Sequence, residues 1–178
     1  MEITLDLLLA SRDRRVAMQQ KLRETYPNLT LVCLTVIMPG NVKRNLSSLI
    51  TAHAATTSLI NRFDGKITDI KINDLPTGYE LYMVTSLSRN DAKALACDIE
   101  DTHPLGRLFD IDVFDTNGIP IKRESVGYAP RKCLLCDNES RYCMRNRSHT
   151  PQQLMEKIDS MIEAYVQQLR YSSNAIVA

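Results

Sequence analysis

Apolar positions along this chain follow two periods, one helical and one strand-like. Leu5, Leu8, Leu9, Arg12 and Val16 recur at three-and-four spacing behind Thr4, a side chain suited to a helix cap. A first helix is therefore predicted over Leu5 to Tyr26. Its Arg12-Asp13-Arg14-Arg15 run is too polar for a core face, so part of that side is expected to meet solvent or a ligand. Leu29 to Met38 is apolar and β-rich and predicts a central strand, closed by a Pro39-Gly40 turn. Ser47 to Phe63 has helical character, with small residues around Ala52-His53-Ala54-Ala55. Lys66 to Ile72 and Tyr79 to Thr85 read as shorter strands around Pro76-Thr77-Gly78. Asn90 is taken as the cap of a helix from Asp91 to Glu100, which Pro104 stops. Leu108 to Phe114 predicts another strand, and Asn117-Gly118 marks a hairpin into a last one, Ile119 to Lys122. Thr150-Pro151 opens the final helix. Its Leu154, Met155, Ile158, Met161, Ile162, Tyr165, Val166 and Leu169 form a stripe expected to be core.

This order predicts an α+β fold with a mixed, mostly antiparallel sheet covered by helices. A compact Cys-rich segment, 122–149, precedes the C-terminal amphipathic helix. The 178 residues are enough to bury a core and are read as a single domain over 1–178. The longest apolar run is about ten residues, against the roughly 20 that a membrane helix needs, so no membrane partner is expected. The start of the chain lacks the basic region of a secretory signal. Five cysteines, three of them between Cys133 and Cys143, do not make a secreted disulfide framework. A cytoplasmic protein is predicted.

A formal charge of +1 conceals an asymmetry. Between Lys122 and Arg147, seven basic residues face three acids. Such a block either attracts an anionic partner or is a basic, solvated surface.

Two groups of residues carry candidate chemistry. On a strand through Leu108 to Phe114, Asp110 and Asp112 share one face, while Phe109, Ile111 and Val113 point into the core. Adjacent carboxylates repel unless a cation lies between them. Mg²⁺ suits them, because it takes one or two carboxylates plus substrate phosphates. The pair thus fits metal-assisted phosphoryl or nucleotidyl transfer, or else the solubilising acids of an edge strand. Gly106 permits close approach to a ligand, and Arg107 lies nearby. His103 suits proton transfer or a turn position. The second group is Cys133-x₂-Cys136-x₆-Cys143-x₅-His149, a zinc-ligand set of accepted type. The same residues also read as buried thiols and a surface histidine. Cys33 and Cys97 read as small core hydrophobes.

Together these segments resemble the citrate lyase holo-acyl-carrier-protein synthases, the apo-citrate lyase phosphoribosyl-dephospho-CoA transferases. The resemblance runs from Ser11-Arg12-Asp13 through Pro39-Gly40-x-Val42-Lys43 and the stretch His103 to Val113. It continues through Pro130-Arg131-Lys132-Cys133-Leu134-Leu135-Cys136 to Cys143 and His149, covering nearly the whole chain. Arg44, where the family usually has an acid, and Gly78-Tyr79-Glu80 in place of Gly-Pro-Glu depart from its pattern. The resemblance implies a nucleotidyltransferase-type enzyme. It would move the phosphoribosyl-dephospho-CoA group from 2′-(5″-triphosphoribosyl)-3′-dephospho-CoA to a serine of the apo-citrate lyase acyl carrier protein, releasing diphosphate. For that reaction Asp110, Asp112 and His103 are the candidate catalytic residues, with Mg²⁺ on the aspartates. Lys43, Arg107, Arg123 and Arg131 are candidates for holding phosphates, beside Gly106. Cys133, Cys136, Cys143 and His149 are the candidate ligands of a structural Zn²⁺. The competing reading is a zinc-dependent nucleic-acid-binding module. Near-neutral charge and few aromatics, with no Trp, speak against nucleic acid as a partner.

Overall fold

The computed structural model describes residues 2–174. Helix α1 (Leu5–Thr25) starts where predicted, because Thr4 Oγ1 accepts a hydrogen bond from the Leu7 N–H. Strand β1 (Thr30–Val36) follows. Helix α2 (Leu46–Arg62) opens on a reciprocal capping box between Asn45 and Ser48. Strands β2 (Ile67–Leu75) and β3 (Gly78–Thr85) form a hairpin around Pro76-Thr77. Helix α3 (Arg89–Thr102) leads through a 3₁₀ turn at Gly106–Leu108 into β4 (Phe109–Phe114). The short α4 (Ser140–Asn146) and the long α5 (Pro151–Asn174) complete the order.

The strands form one sheet in the order β2-β3-β1-β4, with every described pairing antiparallel. This is the expected α+β class. The side chains of Val32, Leu34, Leu81, Met83, Ile111 and Val113 project from one face and are fully buried. Against that face lie α2 and α3, which bury Ala52, Ala55, Leu59, Ala92, Ala96 and Ile99. Small side chains on both helices let them sit close to the sheet. On the other face, Leu22 of α1 packs with Leu31, Cys33, Tyr82, Val84 and Phe114.

Four local expectations are corrected. The stripe on α1 is rotated from the predicted one: Leu5 and Val16 are 69% and 61% exposed, and the buried positions are Ser11 and Leu22. The sheet end opposite the first half of α1 is polar, so an apolar face there has nothing to pack on. The cap of α3 is Ser88, whose hydroxyl accepts from the Asp91 N–H and so starts the helix before Asn90. Residues Ile119 to Lys122 form no strand. Pro120 offers only an isolated bridge to Phe114, and the Asp115 carboxylate captures the Ile119 N–H. On α5, Ile158 and Ile162 are buried but Leu169 is 48% exposed, so the predicted stripe fades toward the helix end.

The chain divides into two compact units, Met1–Pro130 and Arg131–Ala178. The boundary falls inside the Cys-rich basic segment, leaving Lys122 and Arg123 in the first unit and the cysteine cluster in the second. Among the described residues, no helix is long and apolar enough to cross a membrane.

Candidate active site

Register explains where the aspartates meet other groups. Thr35 of β1 lies opposite Glu80 on one side and Asp110 on the other. Cys33 likewise lies opposite Tyr82 and Asp112. Directly paired residues of antiparallel strands share a face. All six therefore project toward α1, in two rows across three strands. Thr35 Oγ1 donates to Asp110 Oδ2 at 3.3 Å, and the Tyr82 hydroxyl donates to Glu80 Oε2 at 2.8 Å.

Helix α1 crosses above these rows. The stripe formed by residues 12, 15, 19, 22 and 26 runs along one side of the helix, at three-and-four spacing. Its second half, Leu22 and Tyr26, seals the apolar end of the sheet. Its first half, Arg12, Arg15 and Gln19, overhangs the polar end. Between them is a cleft of about 320 Å³, lined by these three side chains, by both aspartates and by Thr35, Glu80 and Tyr82. Arg15 Nε lies 3.6 Å from Glu80 Oε1.

The electrostatics follow from this crowding. Burial pushes the Tyr82 hydroxyl up from its ordinary range, and neighbouring Glu80 adds to the effect. Burial also raises the Cys33 thiol, reinforced by the negative charge of Asp112. Both groups stay protonated at neutral pH. Lys43 donates from Nζ to the Met38 carbonyl at 2.5 Å. Its ammonium is held below the usual lysine range by burial and then by the charge of Arg12. Lys43 does not line the cleft itself; it is linked to it through the charge of Arg12, which does.

The strand that carries the aspartates is clamped from its outer edge. The Ile111 N–H donates to Glu100 Oε1 at 2.9 Å, and the Ile111 carbonyl accepts from Lys93 Nζ at 3.1 Å. Ile111 separates Asp110 from Asp112, so these bonds from α3 fix the backbone between the carboxylates. They also satisfy polar groups of an edge strand that would otherwise be unpaired. Glu100 Oε2 in turn accepts from Arg123 Nη1 at 2.5 Å, and Arg123 Nη2 reaches both oxygens of Asp101. With the Ala129 carbonyl on Nε and the Tyr128 ring 5.8 Å away, the Arg123 guanidinium is engaged on all sides.

The remaining candidates are distributed as follows. His103 ends α3; its Nδ1 accepts from the Leu105 N–H at 3.0 Å and its ring lies 4.9 Å from that of Phe109. Burial holds its pKa below the ordinary 6.5. Gly106 packs against the end of α3, where an added Cβ would fall 2.4 Å from the Glu100 carbonyl and 2.7 Å from that of Ile99. The close approach expected of this glycine is thus made to backbone. Arg107 is half-buried in the same 3₁₀ turn. None of these three lines the cleft. Arg131 is half-buried in the second unit, where its carbonyl accepts from the Ser140 N–H. In that unit the ligand atoms of Cys133, Cys136, Cys143 and His149 all lie within 4.8 Å of one another. Sequence reading offers Arg15 only within the polar 12–15 run expected to meet solvent or a ligand, and Gln19, Glu80, Lys93 and Glu100 not at all. The signal for the first two was the switch from polar to apolar along the stripe 12, 15, 19, 22 and 26. For the others there was none, since their partners are distant in sequence.

An α+β transferase is the class to which the comparisons lead. The family model for apo-citrate lyase phosphoribosyl-dephospho-CoA transferase matches residues 3–165. A Streptococcus pyogenes protein named "Probable apo-citrate lyase phosphoribosyl-dephospho-CoA transferase" is 33% identical, over 97% of this chain and 92% of its own length. One of the same name from Vibrio cholerae is 34% identical, over 93% of this chain and 94% of its own. The Haemophilus influenzae protein CitXG is 34% identical over 91% of this chain, which spans only 35% of that longer relative. The chain belongs to the apo-citrate lyase phosphoribosyl-dephospho-CoA transferase family.

Proposed function

We propose that this protein is a nucleotidyltransferase-type enzyme of the cytoplasm and that the α1 cleft is its reaction site. Its donor would be 2′-(5″-triphosphoribosyl)-3′-dephospho-CoA and its acceptor a serine of the apo-citrate lyase acyl carrier protein. One observation carries the reading: Asp110 and Asp112 share a cleft with Arg12 and Arg15. In the reaction, the serine oxygen bonds to the phosphorus nearest the ribose and the bond to the departing diphosphate breaks. The serine proton is lost, and negative charge grows on the phosphate oxygens. Catalysis of such a step rests on positioning and electrostatic stabilisation.

The residues divide this work by charge. Arg12 and Arg15 offer guanidinium forks to phosphate oxygens, with Lys43 adding a cation electrostatically coupled to Arg12. Glu80 orients Arg15, and Tyr82 orients Glu80. Asp110 and Asp112 fit Mg²⁺, since two half-buried carboxylates on one strand face favour a cation between them. When bound there, Mg²⁺ would neutralise charge on the triphosphate. The exposed Arg141, Arg145 and Arg147 give the second unit a cationic surface suited to an acidic carrier protein.

The test is mass spectrometry of apo-carrier protein incubated with enzyme, Mg²⁺ and the triphosphoribosyl donor. The expected product is heavier by one phosphoribosyl-dephospho-CoA group. Asp110→Asn and Asp112→Asn should each slow transfer by on the order of a thousandfold or more, with the fold retained. A mild effect of either would remove the aspartates from the mechanism. No mass gain, together with tight RNA or DNA binding, would favour the nucleic-acid module instead.

A further inference from the structure

The second unit has almost no hydrophobic core of its own. Among its described residues, the buried apolar side chains are Cys133, Cys143, Ile158 and Ile162. So small a core does not order a segment of this length without a staple. None of the described cysteines is in a disulfide. The thiols converge all the same, and the backbone is bent to make them do so. The bridge between Lys132 and Glu139 closes a tight loop, and the Cys133 N–H donates to the Asn138 carbonyl at 2.7 Å. Inside the loop the Leu135 N–H points at Cys133 Sγ, 3.5 Å away. Helix α4 then delivers Cys143 to the same point. It ends on Arg147 at φ 47°, a left-handed turn without a glycine, which returns the chain to place His149 beside Cys136.

We infer that Cys133, Cys136, Cys143 and His149, the last through Nε2, bind one structural Zn²⁺. Two of the separations match those around the ion, in a cluster whose ligand atoms all lie within 4.8 Å of one another. Bonds of about 2.3 Å to sulfur and 2.0 Å to nitrogen in a tetrahedron separate ligand atoms by roughly 3.5–3.8 Å. Cys136 Sγ is 3.5 Å from Cys143 Sγ and 3.5 Å from His149 Nε2. Four protein ligands close the coordination sphere, which marks a structural ion and leaves no position for substrate. The metal ties the 131–140 loop, α4 and the start of α5 to a single point, supplying the order that the apolar core does not. The exposed arginines 141, 145 and 147 are thereby carried on a rigid frame. Binding releases thiol protons, so affinity falls as the pH falls. The inference concerns how this unit folds and is independent of the transfer chemistry.

Metal analysis of the full chain, purified without chelator, tests it. About one zinc per chain is expected, as for other closed sites of this type. Replacement by Co²⁺ should give the intense visible bands of a tetrahedral thiolate site. Cys136→Ser should lose the metal, whereas Cys97→Ser should keep it. Because loss of a ligand can also unfold the unit, His149→Cys serves as the second variant. It should retain one equivalent and shift the cobalt spectrum toward that of an all-sulfur site. Less than about a tenth of an equivalent of zinc, with no cobalt uptake, would overturn the inference. So would iron in place of zinc, or a cobalt spectrum unchanged by His149→Cys.

Discussion

Asp110 and Asp112 are held side by side on β4, and carboxylates so placed repel when no cation separates them. In protein kept free of Mg²⁺, Asp112→Asn should therefore leave Tm unchanged or raised, while slowing transfer by on the order of a thousandfold or more once Mg²⁺ is supplied, as calorimetry beside the mass assay would show. Gly106 has the opposite character. Its Cβ would enter the carbonyls of Ile99 and Glu100, so Gly106→Ala should cost roughly 1–3 kcal/mol in urea unfolding. His103 should leave a mark on pH dependence. Burial depresses its folded-state pKa below 6.5, so below that value the unfolded chain binds more protons than the folded one. Its contribution to stability is complete above about pH 6.5 and is lost as the pH falls through the folded pKa. His103→Asn keeps an acceptor for the Leu105 N–H but cannot titrate. Its urea midpoint should vary less than that of the parent between about pH 7.5 and 5.

Between elements, the decisive contact is that of α3 with the outer edge of β4. Lys93, Glu100 and Arg123 form a chain of buried polar bonds ending on the Ile111 backbone. The Glu100 side chain is 3% exposed and that of Arg123 11%, so neither charge can be left without the other at small cost. Arg123→Met should destabilise the protein by about 3 kcal/mol, since it strands a buried carboxylate. The KM for the phosphorylated donor should hardly change, because the guanidinium faces acids and not the cleft. Arg12→Ala is expected to behave inversely, raising that KM roughly 10- to 100-fold with little loss of stability. Steady-state kinetics with urea titrations of both variants separate an anchoring arginine from a phosphate-binding one.

Across the molecule, near-neutrality is a cancellation between differently charged regions. The stretch 131–147 carries five basic residues against two acids, Asp137 and Glu139. If it steers an acidic carrier protein, transfer should slow steeply as salt is raised from about 50 to 200 mM, mainly through KM for the carrier. A flat profile would place the docking surface elsewhere. If the cysteine cluster holds zinc, chelation should reach the same region by another route, by releasing the loop that presents these arginines.

How much of this could be read from the chain depends on the range of the interactions involved. The alternation on β4 follows from local periodicity, because one buried face is set by neighbouring residues, while β1 follows from its apolar run and the start of α1 from its Thr4 cap. The Cys-x₂-Cys loop was likewise legible, since its thiols are close in sequence. The caps of α3, the missing strand after Asn117-Gly118 and the rotated face of α1 were not. In each case a tertiary partner competed with the local preference: Ser88 for Asn90, Asp115 for a ladder, a polar sheet end for an apolar stripe. By itself the sequence determined most of the elements, the carboxylate pair and the spacing of the cysteines and His149, all products of short-range geometry. Only the tertiary structure decided which cations face the carboxylates, through antiparallel register and the crossing of α1. That choice depends on groups far apart in sequence, such as Arg15 and Glu80, whose proximity no local pattern encodes.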